Sequence, residues 1–158
     1  MDFTRADALN QAIRRIGQTH QSLAAVVLAD LGLHFGQALF LLDLDAHGPR
    51  TQVQLATALA VEPPSITAMA MKLQAAGLIT RTPAPRDARA MIVDLTDGGR
   101  ALLPRVKDSW VRLAEATVVG LDTPALDRLT GDLTDLAHSL SCGGPPRGPA
   151  TAPLCGDC

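Results

Sequence analysis

The chain has few aromatic residues, with three Phe, one Trp and no Tyr in 158 positions. Its core must therefore be built from Leu, Val, Ile and Ala, and a hydrophobic content of 47% supplies enough of them. Long apolar runs are also missing. The longest, near Leu23–Ala29, is far short of the ~20 residues that span a bilayer. The N-terminus MDFTRADALNQAIRRIG has no basic leader followed by an apolar stretch, so no secretory signal is expected and the expected location is cytoplasmic. No phosphate-cradling Gly-rich loop is present, and no general base stands near the paired cysteines, so no enzyme is expected. Cysteine is absent until Cys142, and the other two, Cys155 and Cys158, are near the end. That placement suits thiols or metal ligands better than a disulfide framework.

A basic excess is lacking too, since the formal net charge is −2. The charges are unevenly placed, however. Lys72 to Arg105 holds six basic residues against three acidic, whereas Leu113 to the end holds six acidic against two basic. A basic surface confined to one face of an acidic body fits a nucleic-acid reader with local contacts.

What is present reads as helices around one compact motif, in one domain or two intimate half-domains. Leu9, Ile13, Ile16, Leu23, Val27 and Leu31 predict a long amphipathic helix over 4–31, punctuated by Gly32. A second helix, about 35–45, is expected to present Phe35, Leu39 and Leu42 on one face, ending at Gly48-Pro49. Thr51 is a good N-cap for a third, which should bury Val53, Leu55, Ala56 and Leu59. After the Glu62-Pro63-Pro64 turn, a helix over 64–76 should bury Ile66, Met69, Ala70 and Leu73. It would turn Ser65, Thr67, Ala68 and Lys72 outward and stop at Gly77. Two short strands, 78–80 and 91–95, then flank a ten-residue tip, Arg81 to Ala90. Thr96 is expected to cap a helix over 97–120, with a stripe of Leu102, Val106, Trp110, Leu113 and Val118 and a kink at Pro104. Thr123-Pro124 should open the last helix as N-cap and N1. There Leu126, Leu129, Leu133, Leu136 and Leu140 form a 3-4-3-4 seam that asks for a partner helix, most simply in a second copy of the chain. The expected fold class is mainly α with a small β-hairpin: a winged helix-turn-helix, 47–96, embedded in an α-helical dimerisation region, 1–46 and 97–141. A Gly/Pro/Cys tail, 142–158, follows.

Leu55 to Arg105 resembles the MarR family of bacterial transcription regulators. The matching residues are Leu55-Ala56, Ser65 to Leu73, Gly77-Leu78-Ile79, Arg81, Pro85-Arg86-Asp87-Ala88-Arg89 and Leu95-Thr96-Asp97-Gly98-Gly99-Arg100. Helix order and length match over about residues 5–141. The resemblance implies a homodimer joined through its first and last two helices, with a reader on each protomer. It also implies double-stranded DNA with a pseudo-palindromic operator as the partner, repression, and release by a small molecule, a metal ion or thiol oxidation. Two positions depart from the family. Ala68 stands where Arg is frequent, and Ala88 interrupts the wing's usual pair of arginines. Readout should then lean on the wing and on apolar contact with thymine methyls.

At the wing, Arg89 is the first candidate for an A·T-rich minor groove, where the negative potential is strongest. Asp87 is placed to orient it, and the bland alternative is a solvated salt bridge. Arg86 reads as a phosphate contact, and Arg81 as either that or structural. Ser65 and Thr67 carry short hydroxyls for phosphates or base edges, although Ser65 would also serve as a plain helix cap. Lys72 suits a phosphate. For an effector pocket the candidates are His20, His34 and Phe35. In the tail, His138, Cys142, Cys155 and Cys158 form His-x3-Cys-x12-Cys-x2-Cys. That set suits zinc or another thiophilic metal or metalloid ion. An iron–sulfur cluster, a reversible disulfide between Cys155 and Cys158, and idle thiols are the alternatives. Two other classes compete with the regulator: a thiol redox protein using Cys155 and Cys158, and a winged helix that binds only protein. The charges of Arg81, Arg86 and Arg89 favour DNA.

Overall fold

A computed structural model describes residues 1–85 and 87–142, without the side chains of 87–89, 141 and 142. The chain divides into two compact units, Met1–Thr117 and Val118–Cys158. The first contains α1 (Phe3–Leu28), α2 (Phe35–His47), β1 (Arg50–Thr51), α3 (Gln52–Leu59), α4 (Pro63–Ala75), β2 (Ile79–Ala84), β3 (Asp87–Leu95) and α5 (Asp97–Thr117). The second contains α6 (Thr123–Cys142).

In the first unit the core is aliphatic, as the composition requires. Phe40 is its one fully buried aromatic, among Leu28, Leu41, Leu44, Leu55, Ile66, Leu73, Ile79, Val93 and Val106. Helix α2 contributes most to it. Its buried face is Ala38, Phe40, Leu41 and Leu44, with Gln37, while Phe35, Leu39 and Leu42 are only half-buried. The expected face is therefore rotated, because α2 is apolar almost all round and its periodicity does not fix one side. Gln37 is buried without leaving its amide unused, since its Oε1 accepts the His34 backbone N–H at 2.9 Å. The predicted stripe of α5 is shifted in the same way. Leu103, Val106, Ser109 and Leu113 are buried, and Leu102 and Trp110 half-buried. The helix runs through Pro104 as one element and ends at Thr117, short of the expected Gly120.

Helix α1 is 26 residues long, roughly 39 Å. Only Ala24 and Leu28, in its last turns, are buried. Leu9, Ile13 and Ile16 lie exposed, at 48%, 43% and 59% of their full area, whereas Leu23, Val27 and Leu31 of the predicted stripe pack against the core.

Helix α3 opens on the predicted cap. The Thr51 hydroxyl accepts from the Gln54 backbone N–H at 3.2 Å, and the Gln54 side chain returns to the Thr51 N–H at 2.9 Å. It buries Leu55 and Ala56, but Val53 is exposed, contrary to expectation. Both reader helices end in the same way. At α4, the Leu78 N–H reaches the Leu73 carbonyl at 3.0 Å and the Gly77 N–H reaches Gln74 at 2.9 Å, with Gly77 at φ 71°. At α3, the Val61 N–H reaches Ala56 at 3.0 Å and the Ala60 N–H reaches Thr57 at 3.3 Å. Here the left-handed residue is Ala60, at φ 50°. A Cβ makes that conformation costly, which is why glycine is usual there. Ala60→Gly is expected to stabilise the protein by ~0.5–1 kcal/mol after glycine's own entropy cost is subtracted. A thermal melt should show a small rise, and an unchanged or lower midpoint would contradict the strain.

The sheet has three antiparallel strands in the order β1-β3-β2. Two features differ from the sequence reading. The two-residue β1 pairs Arg50 with Val93 and Thr51 with Ile92. The hairpin is also paired far beyond the expected strands, to Pro83↔Met91 and, after an irregularity, Ala84↔Asp87. The strands thus reach well into the expected ten-residue tip, as far as Ala84 and Asp87. Pro83 is tolerated because β2 is an edge strand, where a missing N–H costs no ladder bond.

In the second unit, Asp122 caps α6. Its Oδ1 accepts from the Ala125 N–H at 2.8 Å and its carbonyl from Leu126 at 2.9 Å. Thr123 and Pro124 are therefore the first two helical residues, and the helix starts one residue earlier than predicted. Leu133, Leu136 and Leu140 of the seam are exposed.

Candidate nucleic-acid interface

Helix α4 is fixed in rotation by what it buries. Ile66, Ala70 and Leu73 enter the core. Met69 lies against α2 at Gly36, where an added Cβ would come within 2.9 Å of the Met69 sulfur. That leaves Ser65, Ala68, Met71 and Lys72 exposed. Thr67 is half-buried, and its hydroxyl donates to the Pro63 carbonyl at 3.1 Å. Of the four predicted reading residues, three are fully outward and Thr67 stands at the margin. Met71 belongs to the same stripe and was missed, although its position three residues after Ala68 was the available signal.

The start of α4 is poorly equipped to hold a phosphate by itself. Pro63 and Pro64 carry no N–H, and the Ser65 and Ile66 amides donate to the Glu62 carbonyl at 2.9 and 3.2 Å. The usual cluster of free amides at a helix N-terminus is absent here. Backbone-phosphate contacts from α4 must come from side chains. Glu62 occupies the N-cap, so Ser65 does not cap the helix and its hydroxyl is not committed to that role.

The wing is β2, β3 and their tip. Arg81 lies opposite Val93, and Val93 lies opposite Arg50, so the three share one face of the sheet. Val93 is fully buried and the Arg81 Nε is buried without a hydrogen-bond partner. Arg81 is thus at the inward-facing base of the wing, on its structural side. Arg50 is engaged as well, gripping Asp43 of α2 with both carboxylate oxygens at 3.0 and 2.8 Å. Arg100 pairs with Asp94 at 3.1 Å, which removes one of the cations counted toward a basic face. At the far end, Asp87 and Arg89 fall in β3 next to the tip. Their side chains, and Arg86 entirely, are outside the described residues.

The effector candidates separate. His20 meets the Phe35 ring edge-on at 5.6 Å, and Phe35 stacks on Trp110 at 5.2 Å and 24°. Helices α1, α2 and α5 therefore meet in an aromatic cluster whose third member, Trp110, was read from sequence only as part of a stripe. Beside it, Arg15, Thr19, His20 and Ala116 help line a cleft of about 320 Å³. His34 plays a different part, since its backbone opens α2. Of the tail set, His138 lies on α6, whereas the Cys142 side chain, Cys155 and Cys158 are outside the described residues. Among the described residues no helix alone is long and apolar enough to cross a membrane, and none group as a metal site.

A helix pair with one outward stripe, followed by a paired wing on a helical body, defines a winged helix-turn-helix regulator of the DNA-binding type. The MarR family model matches residues 35–91. The chain is 34% identical over 125 residues to the HTH-type transcriptional repressor NicR of Pseudomonas putida, covering 77% of this chain and 79% of NicR. It belongs to the MarR family of transcription regulators and is not an enzyme. Among solved structures, MarR from E. coli bound to operator DNA superposes with a TM-score of 0.77 at 25% identity, over 86% of this chain and 99% of that one. BpsR of Bordetella bronchiseptica, whose DNA binding is regulated by 6-hydroxynicotinic acid, matches at 23% identity and a TM-score of 0.77, over 82% and 98%.

Proposed function

We propose that the chain is a homodimeric repressor that binds a pseudo-palindromic operator. In this reading α4 enters the major groove, with Ser65, Thr67, Ala68 and Lys72 as its contacts, and the wing tip, with Arg86, Asp87 and Arg89, enters the adjacent minor groove. The observation that carries it is the outward stripe of α4, which has no part in the core and stands on the same unit as the wing. Dimerisation is supported by the uncovered apolar stripes, Leu9, Ile13 and Ile16 on α1 and Leu133, Leu136 and Leu140 on α6. A dimer would place two readers on successive major grooves.

The effector is a planar aromatic acid bound beside His20, Phe35 and Trp110, with the Arg15 guanidinium at the neighbouring cleft to pair with its carboxylate. Stacking and a charge-assisted hydrogen bond are the two interactions that such a site offers. The competing route is a metal ion or a thiol oxidation at His138, Cys142, Cys155 and Cys158, favoured by their spacing.

Trp110 is the only tryptophan, so its fluorescence reports on the cluster alone. Titration with 6-hydroxynicotinic acid, the first compound to try, and with other aromatic acids is expected to quench it and to release a duplex selected by the protein from a randomised pool. The free protein should sediment as a dimer. A monomer that retains no duplex would refute the proposal. Release by zinc or by oxidant, with no response to any aromatic acid, would transfer control to the cysteine tail.

A further inference from the structure

We infer that α4 specifies its operator by apolar contact, with Met71 and Ala68 seated against the 5-methyl groups of thymine in the major groove. This rests on the DNA-binding reading above and adds what that reading leaves open, the chemistry by which bases are told apart.

The helix has little else with which to read a base. Sequence is read in the major groove mainly by Arg, Lys, Asn, Gln, Glu and Asp, and α4 reads PPSITAMAMKLQA. It has no Arg, Asn, Asp or Glu. The Thr67 hydroxyl donates its proton to the Pro63 carbonyl. Gln74 lies in the last turn, ~120° round from Ala68 at ~100° per residue, to the side of the outward face. Ser65 and Lys72 stand near the two ends of the stripe. Its middle is a methyl group and a thioether.

The rotation of the helix is equally definite. Met69 is held against Gly36, so Met71, ~200° further round, must point away from the protein. It is 58% exposed. A large apolar side chain at the centre of a reading face gains nothing for folding there. The thymine 5-methyl is the only apolar group that a base pair shows in the major groove. Ala68 is short enough to let the helix approach, and the flexible, polarisable Met71 can follow the methyl. MarR from E. coli, which has the same fold, is solved with operator DNA, and a duplex is the occupant the proposal assigns to this face.

The test uses the selected duplex with its thymines replaced one at a time by deoxyuridine, which removes only the methyl. One position in each half-site is expected to weaken binding about fourfold, the value of one buried methyl at ~0.8 kcal/mol. Replacing both symmetric positions should weaken it about fifteenfold. Met71→Ala, an exposed substitution, should bind the thymine duplex correspondingly less well and lose most of the thymine-over-uracil preference. Equal affinity for the thymine and fully uracil-substituted duplexes would overturn the inference while leaving DNA binding intact. An unchanged preference in Met71→Ala would overturn the assignment of Met71. Failure to retain any duplex would overturn the DNA-binding reading with it.

Discussion

Arg89→Ala is expected to weaken operator binding at least tenfold for each reader. A charge-assisted hydrogen bond contributes ~1.5–3 kcal/mol, and every ~1.4 kcal/mol is a factor of ten. In a dimer both copies are lost together. An arginine in the minor groove also draws on the groove's negative potential, so Arg89→Lys, which keeps the charge but not the planar guanidinium, should fall between wild type and alanine. Fluorescence anisotropy at several salt concentrations separates the contributions, because each lost phosphate contact lowers the salt slope by roughly 0.9. If Arg89→Ala binds the selected duplex as tightly as wild type, the wing does not read DNA through this residue.

Gly99→Ala is the second large effect, and it acts on folding. Gly99, in the first turn of α5, is buried against the backbone of Leu78. A Cβ would collide with the Leu78 carbonyl oxygen and come within 3.1 Å of its carbonyl carbon. Backbone cannot move aside as a side chain can, so the cost should reach the upper range of overpacking, about 2–3 kcal/mol. At ~2–4 °C per kcal/mol for a chain of this size, the midpoint should fall by roughly 4–12 °C. Gly131 of α6 is the control, since an added Cβ there meets nothing within 4 Å. Gly131→Ala should melt no lower than wild type. A Gly99→Ala protein with an unaltered melt would mean that the two backbones can separate at little cost.

These two residues show how unevenly the sequence discloses the molecule. The helices were legible wherever a cap, a stop and a period agreed, as for α3 with Thr51 and α4 with Gly77. Where a helix is apolar all round, as α2 is, the period gave the element but not its buried face, and Phe40 escaped notice. The strands were legible in place but not in length, for a different reason. Arg81 and Pro83 read as loop because composition cannot reveal that β2 is an edge. β1 is too short to carry a period at all. The site followed the same pattern. The outward face of α4 could be read from spacing, apart from Met71. The aromatic cluster could not, since His20, Phe35 and Trp110 come from three helices distant in sequence. Gly99 was visible as part of a family motif, but its cause, the Leu78 carbonyl, lies in another element.

The contact beneath Gly99 has a mechanical consequence. Leu78 follows directly on the stop of α4 and precedes the first strand of the wing, and it receives the Thr96 N–H on its carbonyl at 3.0 Å. The Thr96 hydroxyl donates to the Gly77 carbonyl at 2.6 Å and accepts the Gly99 N–H at 3.0 Å. The end of α4, the root of the wing and the start of α5 are therefore pinned by three hydrogen bonds, two of them through one hydroxyl, and by the packing of Gly99 on Leu78. Such a joint leaves no hinge between the end of α4 and the base of β2 and β3. The start of α5, the end of α4 and the base of the hairpin thus share one small set of backbone groups, so a change that displaces Thr96 or Gly99 disturbs all three elements at once.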